Sequence, residues 1–228
     1  MIEFTILLPC LNEADSLAFC IQEAKESIKR EKIEAEILIA DNGSSDGSVD
    51  IARENGARVI SVVERGYGAC LRGGIEDARG KYIIMADSDG SYDLSNLGPF
   101  IEGIRQGYSL VIGNRFKGGI ESGAMPWLHK LGVPFLSLLA RLRFKCNVYD
   151  FHCGLRSFDR EEALALDLTC TGMEFATEII AKFAMSKAKI LEVPTILRKD
   201  KRQTSTRHLR TFKDGFRHLK YILLYHKY

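Results

Sequence analysis

Two aspartates separated by one residue, Asp87 and Asp89, follow the apolar run Tyr82 to Ala86. In an extended chain residues i and i+2 point the same way, so these carboxylates can converge. Two hard anionic oxygen donors suit Mg²⁺ or Mn²⁺, which binds through one or two carboxylates and completes its coordination with water and substrate phosphate. Turns also favour Asp and Ser, so the pair takes its meaning from its company. Asp41 to Gly47 is an acidic, glycine-bearing stretch after another apolar run. A carboxylate there either shapes a turn or accepts from a base N–H or ribose hydroxyl. Glu13, closing Pro9-Cys10-Leu11-Asn12-Glu13, suits the first turn of a helix or the mouth of the same crevice. Arg65-Gly66-Tyr67-Gly68 opens a helical pattern with two glycines and a cation, so its backbone N–H groups can approach a phosphate. Its spacing is neither the dinucleotide fingerprint nor the P-loop, which argues against NAD and kinase-like chemistry.

These residues need a scaffold that brings them together. Apolar runs recur at Phe4 to Pro9, Glu36 to Ala40, Arg58 to Val62, Tyr82 to Ala86 and Ser109 to Ile112, separated by helical spacing such as Leu17, Ile21, Ala24 and Ile28. Strands alternating with helices predict right-handed βαβ units in a doubly wound, mostly parallel α/β sheet with helices on both faces. Ligands of such sheets sit outside the carboxyl ends of the strands, where every residue named above falls, together with Gly113-Asn114-Arg115. After Arg115 the pattern changes. Trp127 to Lys145 reads as a helix carrying Leu128, Leu131, Phe135, Leu138 and Leu142 on one side, with a possible kink at Pro134. A strand at Gly154 to Phe158, a helix at Met173 to Met185 and a strand at Ile190 to Leu197 follow. The chain closes on a basic amphipathic helix, with Leu209, Phe212, Phe216, Leu219 and Leu223 beside Arg210, Lys213, Arg217 and Lys220.

Length and composition bound the rest. A chain of 228 residues with 46% hydrophobic and 27% charged residues is an ordinary globular domain. Folding can bury about 70% of its extended surface. Six cysteines without C-x-x-C spacing and five scattered histidines predict reduced thiols, not a zinc site or a disulfide framework. Leu131 to Ala140, the longest uncharged apolar stretch, is about half of what a membrane-spanning helix needs. The start, Met1-Ile2-Glu3-Phe4, shows no secretory pattern, so a cytoplasmic location is expected. Charge is asymmetric. From Arg198 onward ten Lys/Arg face two Asp/Glu, net +8, leaving 22 against 28, net −6, for the body. A basic tail of this kind meets phosphate. Its basic residues do not alternate with aromatics as a nucleic-acid stacking platform requires.

Taken in order, Pro9 to Glu13, Asp41 to Asp46, Asp87 to Asp93, Gly113 to Arg115, Asp150 to Arg156 and Gly172 to Glu178 resemble the successive motifs of family 2 glycosyltransferases with a GT-A fold. The resemblance spans about residues 4 to 225 and is nearest to the subgroup of polyprenyl-phosphate, or dolichyl-phosphate mannose or glucose, synthases. It implies inverting, metal-dependent transfer of a hexose from a UDP- or GDP-linked sugar to a polyprenyl phosphate, by a protein peripheral on the inner membrane face. On that resemblance Pro9, Leu11, Glu13 and Asp41 contact the nucleoside, with Arg65, Gly68 and Ser88 also on the nucleotide sugar. Asp87 and Asp89 hold Mg²⁺ or Mn²⁺ on the diphosphate, and Asp89 and Arg115 are catalytic. Arg115, with Arg198 and Arg202 as further candidates, meets the acceptor phosphate. The chain departs from the pattern at Leu11, where an aromatic is common, and at Asn42, where Asp is common. The expected division is a catalytic domain over 1–205 and a juxtamembrane helix over 206–228.

The chemistry follows without the family. Breaking a sugar–diphosphate bond develops negative charge on the leaving oxygen, which a divalent ion and an arginine stabilise. A phosphate acceptor is already ionised and needs no base. An alcohol acceptor needs a carboxylate within about 3 Å of its hydroxyl, for which Glu174, Glu178 and Asp150 are the candidates. Transfer to a saccharide hydroxyl is therefore one alternative, and a non-catalytic nucleotide-binding, membrane-docking module another. A nucleotidyltransferase is disfavoured, because Leu11-Asn12-Glu13 is not a glycine-rich basic loop.

Overall fold

The computed structural model describes residues 2–202 and 211–225. β1 (Phe4–Cys10), β2 (Ala35–Asp41), β3 (Arg58–Ser61) and β4 (Tyr82–Met85) alternate with α1 (Ala14–Glu31), α2 (Ser48–Glu54) and α3 (Tyr67–Asp77). The four strands are parallel, in the order β3-β2-β1-β4. All seven residues of β1 are buried, as a central strand covered on both faces requires. α1 lays Leu17, Cys20, Ile21 and Ala24 on the sheet at spacings of three and four. The chain leaves β1 toward β2 and later returns to the other side of β1 as β4. Connections therefore diverge at the carboxyl ends of β1 and β4 and leave a crevice there.

The second half continues through α4 (Gly98–Arg105), β5 (Leu110–Asn114), α5 (Arg115–Gly118), α6 (Trp127–Phe144), β6 (Arg156–Asp159), α7 (Arg160–Ala165), α8 (Phe175–Met185), β7 (Ile190–Pro194) and α9 (Thr211–Leu224). β6 inserts between β4 and β5 antiparallel to both, and β7 lies parallel to β5, so the seven-stranded sheet is mixed but mostly parallel. Three expected boundaries move. β6 begins at Arg156 rather than Gly154, whose backbone packs against Asp87. The helix expected from Met173 starts at Phe175. The strand expected to reach Leu197 ends at Pro194. Beyond it the chain becomes a strap across the carboxyl edge, with Arg198 N–H on Ser91 O (2.8 Å) and Lys201 N–H on Asp89 O (2.8 Å).

α6 runs unbroken through Pro134, and its apolar side faces outward. Trp127, Leu131, Phe135 and Leu142 are 68, 67, 58 and 70% exposed, whereas Ser137, Ala140 and Phe144 pack inward. α9 is inverted in the same way. Asp214, His218 and Ile222 are buried against the body while Phe212, Phe216 and Leu223 are exposed. Leu209 and Arg210, also expected on this helix, lie outside the described residues.

Arg156 is the largest fully buried side chain among the described residues. Its Nε, Nη1 and Nη2 donate to Cys153 O (2.8 Å), Ala176 O (2.9 Å) and Phe151 O (3.0 Å), bolting the 151–153 loop to the first turn of α8. Arg156→Met keeps the bulk and strands three carbonyls, so we expect a loss of about 3 kcal/mol or more. In urea titration the midpoint should fall at unchanged slope. An unshifted midpoint would show that the three bonds contribute nothing net.

Candidate functional site

The divergent connections enclose an open cavity of about 750 Å³. Its floor is set by the end of β1. Asn12 adopts a left-handed backbone (φ 57°), which turns the chain so that Glu13 can open α1 at the cavity wall. This loop is laced to the next one: Asn12 N–H donates to Ser44 Oγ (2.9 Å), Ser45 N–H to Asn12 Oδ1 (2.8 Å) and Glu13 N–H to Ser48 Oγ (2.9 Å). Pro9, Leu11, Glu13, Asn42 and Arg65 line the cavity. Asp41 stands behind the wall, its carboxylate accepting from Gly43 N–H (3.0 Å) and Ser44 N–H (3.2 Å) of its own turn. Asn42 takes the forward position. Its amide donates to Val62 O and Glu64 O and accepts from Gly66 N–H, so the two loops form one wall.

The structure commits part of the N-terminus of α3 elsewhere. Gly66 N–H is spent on Asn42, and Ala69 N–H donates to Thr171 O. Gly68 does not line the cavity, since a Cβ there would lie 2.3 Å from Cys170 O; it is a packing glycine under the 170–175 loop. Gly66 has the same neighbour problem at Thr171 O and a φ of 128° besides.

Asp87 and Asp89 reach the cavity from the end of β4. Tyr67 OH donates to Asp87 Oδ1 (2.8 Å), and Gly154 approaches so closely that a Cβ would stand 2.4 Å from Asp87 Oδ2. Asp89 accepts from Ser91 N–H (2.9 Å) and Arg202 Nη2 (3.0 Å). Ser88, between them, donates to Pro9 O (2.6 Å) and its carbonyl accepts from Ser16 Oγ (2.8 Å), tying β4 to β1 and α1. Burial, followed by the neighbouring Asp89, pushes Asp87 up to about 6. Burial pushes Glu13 up to about 7 against the lowering effect of Arg202, with Asp89 and Asp87 adding to the rise. Negative charge is thus crowded here beyond what the strap supplies in counter-charge. This donor chemistry fits a hard divalent cation. No set of three or more His, Cys, Asp or Glu is placed to hold one among the described residues, so the protein would contribute Asp87 and Asp89. Substrate phosphate and water would complete the coordination.

Arg115 lines the far wall, buried and forked onto Asp150 through Nε (2.8 Å) and Nη2 (2.7 Å). Its Nη1 makes no hydrogen bond to a described residue. The three carboxylates expected as bases are corrected by their partners. Asp150 is fully buried under Arg115, and Glu178 accepts from Thr169 N–H, Cys170 N–H and Lys182 Nζ. Glu174 pairs with Arg217 at 2.7 Å. None of the three lines the cavity. In the strap, Arg198 bridges Glu23 (2.7 Å) and Asp93 (2.6 Å), while Arg202 spans Glu13 (3.3 Å), Asp89 (3.0 Å) and Asp200 (3.4 Å). Sequence reasoning did not assign Tyr67, Tyr92, His129 or His152 to the site, although three of them lie within motifs it singled out. Lys213 and Arg217, read as helix charges, stand on the cavity rim.

A family profile described as Glycosyl transferase family 2 matches residues 5–164. The low-salt glycan biosynthesis hexosyltransferase Agl6 of Haloferax volcanii is 34% identical over 222 residues, 96% of this chain and 53% of that protein. A dolichyl-phosphate hexose transferase of the same organism is 32% identical over 161 residues, 70% of this chain and 68% of that protein. The chain spans about half the length of the first of these relatives. Among solved structures, glucosyl-3-phosphoglycerate synthase of Mycobacterium tuberculosis, with Mn²⁺, UDP and glucosyl-3-phosphoglycerate, superposes with a TM-score of 0.74 at 21% identity, covering 97% of this chain and 78% of that one. That likeness shows the fold.

Under the rim, burial, then Arg156 and Arg217, push His218 down to about 4. An unfolded histidine titrates near 6.5, so the native state favours the neutral ring and its stabilisation is complete above that pH. It is lost as pH falls from about 6.5 toward 4. The stability difference between wild type and His218→Asn should shrink by up to about 1.4 kcal/mol per pH unit over that window. Urea denaturation of both proteins from pH 7 to 4.5 measures it. A constant difference would mean that His218 titrates alike in the folded and unfolded states.

Proposed function

Since the chain belongs to glycosyl transferase family 2, we propose that it transfers a hexose, with inversion, from a UDP- or GDP-linked sugar to a polyprenyl phosphate at the cytoplasmic face of a membrane. One observation carries this reading. A single cavity runs from the carboxylate pair Asp87 and Asp89 to the basic rim of Lys213 and Arg217, beside the outward apolar sides of α6 and α9. The similarity to a dolichyl-phosphate hexose transferase supports the lipid acceptor. Residues 1–205 are the catalytic unit in this reading and 206–228 the membrane-facing segment.

The roles follow from position. Pro9, Leu11, Glu13, Asn42, Arg65 and Ser88 form the nucleoside end, with Asp41 holding that wall from behind. Asp87 and Asp89 would hold Mg²⁺ or Mn²⁺, which when bound offsets the charge developing on the departing diphosphate. Tyr67 keeps Asp87 aimed into the cavity. Arg202, resting on Glu13 and Asp89, is within the same cluster and can turn to the diphosphate when a donor enters. Asp150 locks Arg115 and leaves its Nη1 for a phosphate oxygen. The acceptor phosphate attacks the anomeric carbon from the side opposite the leaving group without a base. Because Asp150, Glu174 and Glu178 are all committed elsewhere, a saccharide hydroxyl would find no base among them. This favours the phosphate acceptor.

No helix of the described residues is long and apolar enough to cross a membrane. Attachment would instead use the exposed faces: Trp127, Leu131 and Phe135 of α6, with Phe212 and Phe216 of α9, beside Lys213 and Lys220. Each basic residue near an anionic leaflet contributes about 1 kcal/mol.

A screen of UDP- and GDP-sugars with short polyprenyl phosphates and Mg²⁺ or Mn²⁺, reading released nucleotide and glycolipid together, tests the transfer. Asp89→Ala should abolish turnover without lowering the melting temperature by more than a few degrees, and Arg115→Ala should lower turnover by about 10² or more. Full wild-type activity in EDTA would overturn the metal assignment. Absence of turnover with every donor would leave the binding-module reading. Liposome co-sedimentation tests attachment separately: binding to anionic vesicles should weaken with salt and be lost in Leu131→Glu/Phe216→Glu. Wild type that stays in the supernatant at low salt excludes it.

A further inference from the structure

His152 lies between α6 and β6, two residues after Asp150 and two before Gly154, and lines the cavity. Both of its ring nitrogens are buried, and neither has a hydrogen-bond partner among the described residues. Leaving a buried donor and acceptor unpaired is costly, and native folds keep few such groups. The ring is nevertheless held in place. His218 packs edge-on against it with centroids 4.4 Å apart, and Thr177 Oγ1 lies 2.8 Å from His218 Nδ1, fixing that partner in turn. The loop also stands next to the carboxylate pair, because Gly154 abuts Asp87 and donates its N–H to Tyr92 OH (2.8 Å). A held ring with two uncommitted nitrogens, in the loop that brings Gly154 against Asp87, is prepared for something that enters the cavity.

The surroundings define its chemistry. Burial, then His218, Arg115 and Arg156, drive His152 well below the usual histidine range, so the ring is neutral at pH 7. A neutral imidazole offers one N–H donor and one acceptor nitrogen. The guanidiniums beside it offer only donors, and they are largely engaged. Arg156 serves three carbonyls, and Arg115 serves Asp150 through two of its nitrogens. A phosphate oxygen would use only half of what His152 presents. A hydroxyl both donates and accepts, and so can pair with whichever nitrogen it reaches.

We propose that His152 binds a sugar hydroxyl and so helps to determine which sugar the cavity accepts; this rests on the transferase reading above. The hydroxyl belongs to the hexose of the donor, since a polyprenyl phosphate carries no sugar hydroxyl, and one experiment tests it. Wild type, His152→Phe and His152→Asn are compared at full length. UDP, UDP-glucose, GDP and GDP-mannose are titrated with Mn²⁺ by calorimetry, and kcat and KM are measured for the donor that turns over. If the hydroxyl is the donor's, His152→Phe binds the free nucleoside diphosphate within twofold of wild type but the nucleotide sugar about tenfold more weakly, and Asn restores most of the loss. Unchanged donor binding in Phe, with only the acceptor KM raised, overturns the proposal. Equal behaviour of all three proteins overturns the proposal. So does equal impairment of Phe and Asn with lowered melting temperatures, which is the mark of a structural residue. Wild type that binds no nucleotide sugar overturns the transferase reading and this inference together.

Discussion

Crowding of negative charge at the carboxyl ends of β1 and β4 is the constraint around which this molecule is arranged. Glu13, Asp87 and Asp89 come from two strands that the parallel register places side by side, Leu7 opposite Met85. Left alone they would repel one another, and the upward displacement of Glu13 and Asp87 records that repulsion on top of the burial that dominates it. Several otherwise unrelated features answer to it. The strap beyond β7 delivers Arg202 to two of the three carboxylates, Tyr67 gives Asp87 a hydrogen bond, and Gly154 admits its loop only because it lacks a side chain. A cation with its own phosphate ligands completes such a cluster better than a guanidinium can, since it is more compact and doubly charged.

A second layer holds the far wall. Two buried arginines brace the segment between α6 and β6, Arg115 through the Asp150 carboxylate and Arg156 through three main-chain carbonyls. Removing either partner would leave a buried charge or several unsatisfied acceptors, which costs more than the intact arrangement gains. The same segment carries Gly154 and His152 to the cavity. Rigidity there places side chains that could not be placed by a solvated loop.

The outward apolar faces of α6 and α9 have a common origin. Each helix turns polar or small residues inward, Ser137 and Ala140 in one and Asp214 and His218 in the other, with a single large apolar residue buried in each, Phe144 and Ile222, against a body that already has its core. Their hydrophobic residues are therefore left outside, which is the reverse of an ordinary surface helix. Contiguous exposed apolar surface rimmed by basic residues marks an interaction face. In the transferase reading proposed above, its position beside the cavity rim would put the docking face next to the acceptor's entry.

Alternation of apolar runs and helical spacing was enough to read the βαβ half, because strand and helix periods are local properties of the chain. The same logic brought the candidate residues together: in a parallel sheet every strand ends on one edge, so Glu13, Asp87, Asp89 and Arg115 could be assembled from their place after apolar runs alone, and they line one cavity. Partnerships could not. Whether Asp41 or Asn42 faces the cavity turned on which one its own turn consumed, and whether Asp150 was a base or a brace turned on Arg115, 35 positions away. Gly68 stood in a glycine-bearing helix start whose N–H groups could approach a phosphate, yet it was required by the backbone of residue 170. Amphipathic spacing revealed that α6 and α9 have an apolar side but not which way it points, since that depends on what else has filled the core. Period and composition are properties of neighbours in sequence, and they settled the elements and the edge on which the candidate residues gather. Hydrogen-bond pairing and the direction of a face are set between segments far apart in the chain, and only the tertiary structure decided them.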